Sequence, residues 1–174
     1  MGLRYPQRAL DASYNNVASG LAATNVQEAL DELNTTVAQI QIVKATLSGD
    51  QTISTVASGA AGANMAQVGS WQATLTTTTT CHLKITVSCN SIATNAELIV
   101  GYKLNSETSV PFYYQNHIGT NVRHSISFSD MVSNVAAGTH TVKVMASRAI
   151  ANCTIYGSAN PYYQAVLLVE AIPV

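Results

Sequence analysis

The sequence predicts a mainly β fold, an antiparallel jelly roll or β-sandwich preceded by an extended N-terminal arm and a short coiled-coil α-helix. Two observations predict it. From Ile42 onward, apolar and polar residues alternate in several short segments, the pattern of half-buried antiparallel strands. Before that point, apolar residues recur every three or four positions, as in a coiled-coil helix. We therefore expect an arm over residues 1–22, a helix over 23–42 and a sandwich over 43–174.

The first 22 residues show neither the alternation of a strand nor the spacing of a helix, and Pro6 and Gly20 interrupt them. They also lack the apolar core of a secretory signal. We expect an extended arm that becomes ordered only against a partner.

The helix is expected to begin near Asn25. A capping box pairs a polar N-cap side chain with Glu or Gln three residues later. Thr24 with Gln27 fits this pattern, and Asn25 with Glu28 fits it one residue further along. The sequence leaves both open.

The apolar residues of the helix form a narrow stripe with spacings of four, three, four and three: Val26, Leu30, Leu33, Val37 and Ile40. This is a 3.5-residue seam, and it predicts contact between identical helices. The alternative is an amphipathic helix docked on its own domain, which we disfavour because the rest of the helix is polar. A helix this short is marginal alone, so a self-associating domain must hold it. We expect a homotrimer rather than a dimer.

The clearest strand is Cys81–Cys89, in which every second residue is apolar. Cys81 and Cys89 belong to the apolar face and are expected to be small core residues, as is Cys153. An odd number of cysteines without a secretory signal argues against a disulfide framework.

Further strands are predicted by the same alternation, with Met145 on the polar face of its strand. They cover 42–56 (one or two strands), 71–77, 96–104, 122–129 and 141–146. Turn signals lie at 137–138 and 157–161, and Thr76–Thr80 is interpreted as a strand end and hairpin.

The last strand, Gln164–Ile172, is apolar on both faces and is expected to be central in its sheet. Its outward face then needs a cover, and a neighbouring subunit supplies one. Val166 and Leu168 are therefore predicted at the trimer interface of the sandwich. His124 joins them as a core or subunit-interface histidine, an interpretation we prefer to a ligand role.

Composition excludes several classes of function. The formal net charge is -1, from 8 basic and 9 acidic residues, which gives no electrostatic footprint for nucleic acid or an anionic membrane. No apolar run approaches the ~18 residues of a membrane span. The four histidines lack metal-ligand spacing, and no phosphate loop or nucleophile elbow occurs. We expect no catalysis, metal or cofactor.

Aromatic and polar residues suggest one binding site. Tyr, Asn and His in loops offer the flat faces and hydrogen bonds that saccharides need. The candidates are Tyr113, Tyr114, Asn116, His117, Tyr162 and Tyr163. The preferred alternative is that these tyrosines rim the core or the subunit interface.

Two segments resemble known proteins. Residues 14–33, which begin Tyr-Asn-Asn-Val-Ala-Ser-Gly-Leu and end Glu-Ala-Leu-Asp-Glu-Leu, closely resemble a segment common in tail-fibre, head-fibre and related virion proteins of tailed bacteriophages. Residues 137–144 and 165–172 are similar to trimeric jelly-roll tips of the tumour-necrosis-factor-like type. The resemblance implies a homotrimer without catalytic activity, anchored through residues 1–22 to a capsid, neck or tail protein.

The expected function is therefore that of a phage virion structural protein, assembled in the bacterial cytoplasm and located in the virion. The chain lacks a long repetitive shaft, which favours a head fibre, a capsid decoration protein or a short tail fibre. The alternative is a carbohydrate-binding tip of a tail fibre that mediates host attachment through a surface glycan.

Overall fold

A computed structural model describes residues 21–38, 40–56, 64–93, 96–107, 112–118, 122–149, 151–157 and 164–174, with backbone alone at 36–38, 93, 96, 112–118 and 122. The chain divides between Ile40 and Gln41 into two compact units, one containing the helix and the other the strands. The predicted boundary at residue 43 lies two residues into the first strand.

The helix, α1, spans Val26–Ala38. Its N-cap is Asn25, whose Oδ1 accepts a hydrogen bond from the Glu28 backbone N–H at 2.9 Å. The Glu28 carboxylate in turn accepts from the Thr24 N–H at 2.9 Å and from the Thr24 hydroxyl at 2.7 Å. Of the two capping boxes, the structure therefore forms the one between Asn25 and Glu28. The helix was expected to extend to residue 42, but α1 ends at Ala38 and Ile40 lies beyond it.

The described residues after the helix form ten strands in two antiparallel sheets. They are β1 (Gln41–Thr46), β2 (Gln51–Ile53), β3 (Ala66–Thr77), β4 (Cys81–Ala93), β5 (Ala96–Leu104), β6 (Phe112–Ile118), β7 (Val122–Val135), β8 (Gly138–Ala149), β9 (Cys153–Ile155) and β10 (Val166–Pro173). The larger sheet has the order β1-β10-β4-β9-β2, with β7 also paired to β4. The smaller sheet has the order β3-β8-β5-β6.

Most sheet neighbours are distant in the sequence, as in a jelly roll, and β5 with β6 is the one consecutive pair among the described strands. β1 pairs with β10, and β3 pairs with β8. Consecutive strands β3 and β4 belong to different sheets, so Thr76–Thr80 connects the sheets and is not the expected hairpin. The predicted fold class, a β-sandwich of jelly-roll type with one short helix, is confirmed.

The core lies between the two sheets. Its largest fully buried side chains include Trp71 and Tyr102, and the Trp71 indole donates to the Ala45 carbonyl at 3.3 Å. The alternation seen in β4 places Leu83, Ile85 and Val87 in this core at 0% exposure. Strands with strictly alternating apolar residues thus supply the inner faces of the two sheets, which pack against each other.

The three cysteines are buried and free, as expected for small core residues. Burial raises the pKa of Cys89 to about 12. Burial also raises the pKa of Cys153, against a smaller opposing effect of Arg148. A thiol with a raised pKa is a poor nucleophile at neutral pH, which agrees with a packing role.

One residue that faces away from the main core is buried all the same. Met145 was assigned to the polar face of β8, yet it is buried together with Met65 and Ile99. These three side chains form a small second cluster outside the main core. The alternation itself is correct, but the outward face of β8 is covered at this end of the strand.

Candidate assembly surfaces

The apolar stripe of α1 is exposed on the single chain. Leu30 is 54% exposed and Leu33 is 46% exposed, while Val26 is half-buried. The side chain of Val37 lies outside the described residues. Ile40, beyond the end of the helix, is 44% exposed. Large apolar side chains exposed in this way make the stripe a candidate surface for association.

The segment before α1 is held to another side of the helix. The Glu32 carboxylate accepts hydrogen bonds from the backbone N–H groups of Ala22 at 3.0 Å and Ala23 at 3.1 Å. Residues one or two positions apart do not share a helix face, so Glu32 lies off the stripe of Leu30 and Leu33. The stripe therefore stays accessible while the incoming chain is fixed beside it.

The cap has an electrostatic consequence. The backbone hydrogen bond from Thr24, together with its hydroxyl, stabilises the ionised carboxylate and lowers the pKa of Glu28. Glu28 is therefore charged at neutral pH, at the end of the helix where the dipole favours an anion.

A second surface is the outward face of β10 and its neighbours, here named the β10 face. Leu167 and Val169 point into the core at 0% exposure, whereas Val166 and Leu168 point outward and are half-buried. The outward residues of β1 extend this face, since Thr46 pairs with Val166 and Lys44 with Leu168. Strand β10 is central, between β1 and β4, as predicted.

An ion pair lies in the middle of the β10 face. Lys84 Nζ is 2.9 Å from Glu170 Oε2. On either side stand apolar residues in register: Ile42 opposite Glu170, and Met131 opposite Lys84. Ile42 is 61% exposed and Met131 is 49% exposed. Sequence reasoning missed both residues, although each occupies the outward position of an alternating strand.

His124 does not belong to this surface. It shares strand parity with Ile126 and Phe128, both buried in the core, and is itself half-buried opposite Ser91. Val166 and Leu168 lie on the other face of the same sheet. Of the two interpretations of His124, its position fits the core one and not a place beside Val166 and Leu168, because one residue of register decides which face a side chain occupies.

The proposed saccharide residues are only partly placed. Tyr113, Tyr114, Asn116 and His117 were expected in a loop but lie in β6, at the end of the smaller sheet. Strand β6 pairs with β5, and this pairing places Tyr113 opposite Gly101 and Tyr114 opposite Val100. Their side chains, and all of Tyr162 and Tyr163, lie outside the described residues.

The described residues contain a small cavity but no metal-binding cluster. No group of three or more His, Cys, Asp or Glu among them could hold a metal ion. A cavity of about 190 Å³ is lined by parts of β2 and β3 and by Ala146, without an ionisable side chain. Within the same part of the chain, no helix has the length and apolar content that crossing a membrane requires.

No protein-family model matches this chain, and no curated protein matches it either. Among solved structures, a chain from the structure of infectious bursal disease virus, Gx strain, is similar over 78% of this chain, with a TM-score of 0.40 and 9% sequence identity. This chain spans 37% of the length of that viral chain. A similarity this low identifies neither a family nor a shared function.

Proposed function

We propose that this chain is a homotrimeric structural protein of a tailed-phage virion: a head fibre, a capsid decoration protein or a short tail fibre, anchored by residues 1–22. The observation that carries the proposal is the exposure of Leu30 and Leu33, 54% and 46%, on a helix with a complete N-terminal cap. The resemblance of residues 14–33 to segments of phage virion proteins is the reason for proposing a location in the virion.

The energetics support assembly through the stripe. Isolated helices of fewer than about 12–15 residues are marginal in water, and α1 has 13. Full burial of a leucine side chain contributes about 1.5–3 kcal/mol. Packing the stripes of identical helices against one another therefore stabilises both the helix and the assembly, provided that a larger domain keeps the copies together.

The β10 face is the second contact we propose. Its apolar side chains, Ile42, Leu168 and Met131, surround the Lys84–Glu170 ion pair. An apolar surface whose central charges, Lys84 and Glu170, are paired resembles the interior of a stable oligomer. Since an ion pair withdrawn from water adds little net stability, the apolar neighbours carry the association.

The stripe is tested by a matched pair of substitutions. Leu30→Asn places a polar amide in the seam, while Thr35→Asn places the same amide at an exposed position on another side of the helix. Asn and Thr have similar helix propensities, so the control changes the helix little. We expect Leu30→Asn to raise the concentration at half-assembly by at least about tenfold, measured by sedimentation equilibrium, with Thr35→Asn unchanged.

Equal assembly of the two variants would remove the stripe from the interface. Attachment to a particle is tested separately, by asking whether a chain without residues 1–22 still trimerises but no longer copurifies with virions. Copurification without the arm would contradict its role as the anchor.

A further inference from the structure

Two asparagines hold a left-handed backbone conformation, and they are the only non-glycine residues that do so in the part of the chain that the structure describes. Asn105 lies at φ 55° in the turn after β5, and Asn134 lies at φ 56° near the end of β7. A non-glycine residue in this region persists only where its surroundings hold it there. In both cases the surroundings include a hydrogen bond to the Nδ1 atom of a histidine.

Asn134 belongs to a β-bulge opposite His82. The register between β4 and β7 shifts there, so that two residues of β7 face His82 alone. The Asn134 backbone N–H donates to His82 Nδ1 at 3.3 Å. Because a backbone N–H can only donate, this nitrogen of the His82 ring must carry no proton.

Asn105 is held by His140 through a chain of hydrogen bonds. Asn105 Oδ1 accepts the Thr141 N–H at 2.9 Å, and this bond fixes the orientation of the amide. Asn105 Nδ2 therefore faces His140 Nδ1, at 3.3 Å, as a donor. The other ring nitrogen, Nε2, lies 2.9 Å from the Ala136 carbonyl, which can only accept. His140 is thus neutral, with its proton on Nε2.

Both histidines lie at the same end of the sandwich, near the start of β4 and of β8. The connection from β7 to β8 runs past both, since Val135 pairs with Cys81 and the Ala136 carbonyl accepts from His140. Strand β1 also begins at this end, next to the end of β10. The two histidine–asparagine pairs therefore fasten neighbouring turns where the chain enters the sandwich.

The charged groups that face His82 are already paired with each other. Lys84 follows His82 on the same face of β4, and its ammonium group lies 2.9 Å from the Glu170 carboxylate of β10. A proton on His82 would add a second positive charge beside Lys84, with no carboxylate of its own.

The titratable groups on the elements around His140 are Cys81, Tyr102, Glu107 and Asp130. The Asp130 carboxylate accepts the Tyr102 hydroxyl, and the Glu107 carboxylate accepts a backbone N–H. Strand β3 has no charged residue, and the lysines of β5 and β8 belong to the opposite face of the sheet. Among the described carboxylates, none forms an ion pair with either histidine.

We propose that the two histidine–asparagine pairs form an acid-sensitive latch at this end of the sandwich. Histidine is the side chain that ordinarily gains a proton between about pH 8 and 5. A proton on Nδ1 of either ring faces the N–H donor of its asparagine, so the hydrogen bond is lost. For His140, which is 7% exposed, the added charge is also buried. Acid therefore releases the turn after β5 and the bulge of β7, while the centre of β4 stays folded. The latch does not depend on the proposed virion role.

The tautomer of each ring in the full chain is the first test. Long-range ¹H–¹⁵N NMR spectra of the imidazoles near neutral pH should show the proton on Nε2 in both His82 and His140. A ring that carries its proton on Nδ1 would overturn the proposal, because it could not accept a hydrogen bond from its asparagine.

Amide hydrogen exchange, corrected for its intrinsic pH dependence, is the second test. The reporters are the Asn134 and Thr141 amides, which donate to His82 Nδ1 and to Asn105 Oδ1. Between about pH 7 and 5 their protection should fall at least about fivefold, the effect of losing one hydrogen bond. The Ile85 amide, in the centre of β4, should keep its protection. Unchanged reporters would overturn the proposal, and so would an equal loss at Ile85, which would mean unfolding of the whole sandwich.

Glutamine variants separate the two pairs, because glutamine offers an acceptor oxygen but gains no proton in this range. In His82→Gln, acid should no longer affect Asn134 while Thr141 still responds, and His140→Gln should show the reverse. His124→Gln replaces a histidine that bonds neither asparagine, and it should respond like the parent. A response that persists after its own histidine is replaced would overturn the proposal. Where His140→Gln does not fold, His82→Gln and the two tautomers decide.

Discussion

At the scale of single residues, the Tyr102 hydroxyl joins the two sheets through a polar contact inside an apolar core. It donates to Asp130 Oδ2 at 2.6 Å, and Asp130 Oδ1 also accepts the Met131 N–H at 2.8 Å. Burial, followed by the bond to Asp130, raises the pKa of Tyr102. The neutral phenol is thus the form that the fold requires.

Tyr102→Phe should lower the free energy of unfolding by about 1–3 kcal/mol at neutral pH, because it removes the hydroxyl and leaves the part-buried Asp130 acceptor without this donor. The raised pKa gives stability that is fully present below the unfolded tyrosine pKa of about 10 and is lost as pH rises through the folded value. Denaturant titrations from pH 7 to 11 should show this loss in the parent and less of it in the variant. Identical pH profiles would contradict the assignment.

Glycine at position 157 is required by a close approach of two loops. A Cβ there would lie 2.3 Å from the backbone of Gly49, whereas a Cβ on Gly49 meets nothing within 4 Å. Gly157→Ala should therefore cost about 1–3 kcal/mol or more through overpacking. Gly49→Ala, the matched control, should change the melting temperature little, and equal effects in thermal unfolding would refute the contact.

At the scale of secondary-structure elements, β10 has one face for the core and one for a partner. Leu167→Ala should lower the free energy of unfolding by about 2–5 kcal/mol, because it empties a fully buried site. Leu168→Ala should change the free energy of unfolding of the dissociated protomer by no more than about 1 kcal/mol, and it should weaken assembly instead. Denaturation and sedimentation of the two neighbours separate these effects, and a reversed order would contradict the stated orientation.

The sequence predicts those elements whose signal is local. Strict alternation in Cys81–Cys89 correctly identified its buried face, and the polar residues near Asn25 located the helix start. The structure forms a strand at Phe112–Ile118, where the sequence analysis predicts a loop; the aromatic content of this segment favours a strand, so a usable signal is present.

Pairing between distant strands could not be predicted in this way. The juxtaposition of Lys103 with Lys143, and the ion pair of Lys84 with Glu170, depend on which strands become neighbours. The alternation around His124 identified which residues share its strand face. It did not show whether that face is the inner or the outer one. Local periodicity shows which residues of a strand share a face. Only the order of the strands in the sheets decides whether that face points to the core or to the surface.

At the scale of the whole molecule, the account depends on two exposed apolar surfaces in a chain with only 10% charged residues. The stripe on α1 and the β10 face each leave large side chains open to water. Such surfaces are candidates for association, because extended exposed apolar patches are uncommon on monomers. We infer that identical copies cover them.

The most direct measurement is the native mass of the full chain, by light scattering or native mass spectrometry across a dilution series at micromolar concentration. We predict a single species of three times the 18.3 kDa chain mass that persists on dilution. A species with the mass of one chain throughout the series would contradict the account, because both apolar surfaces would then be stable in contact with water.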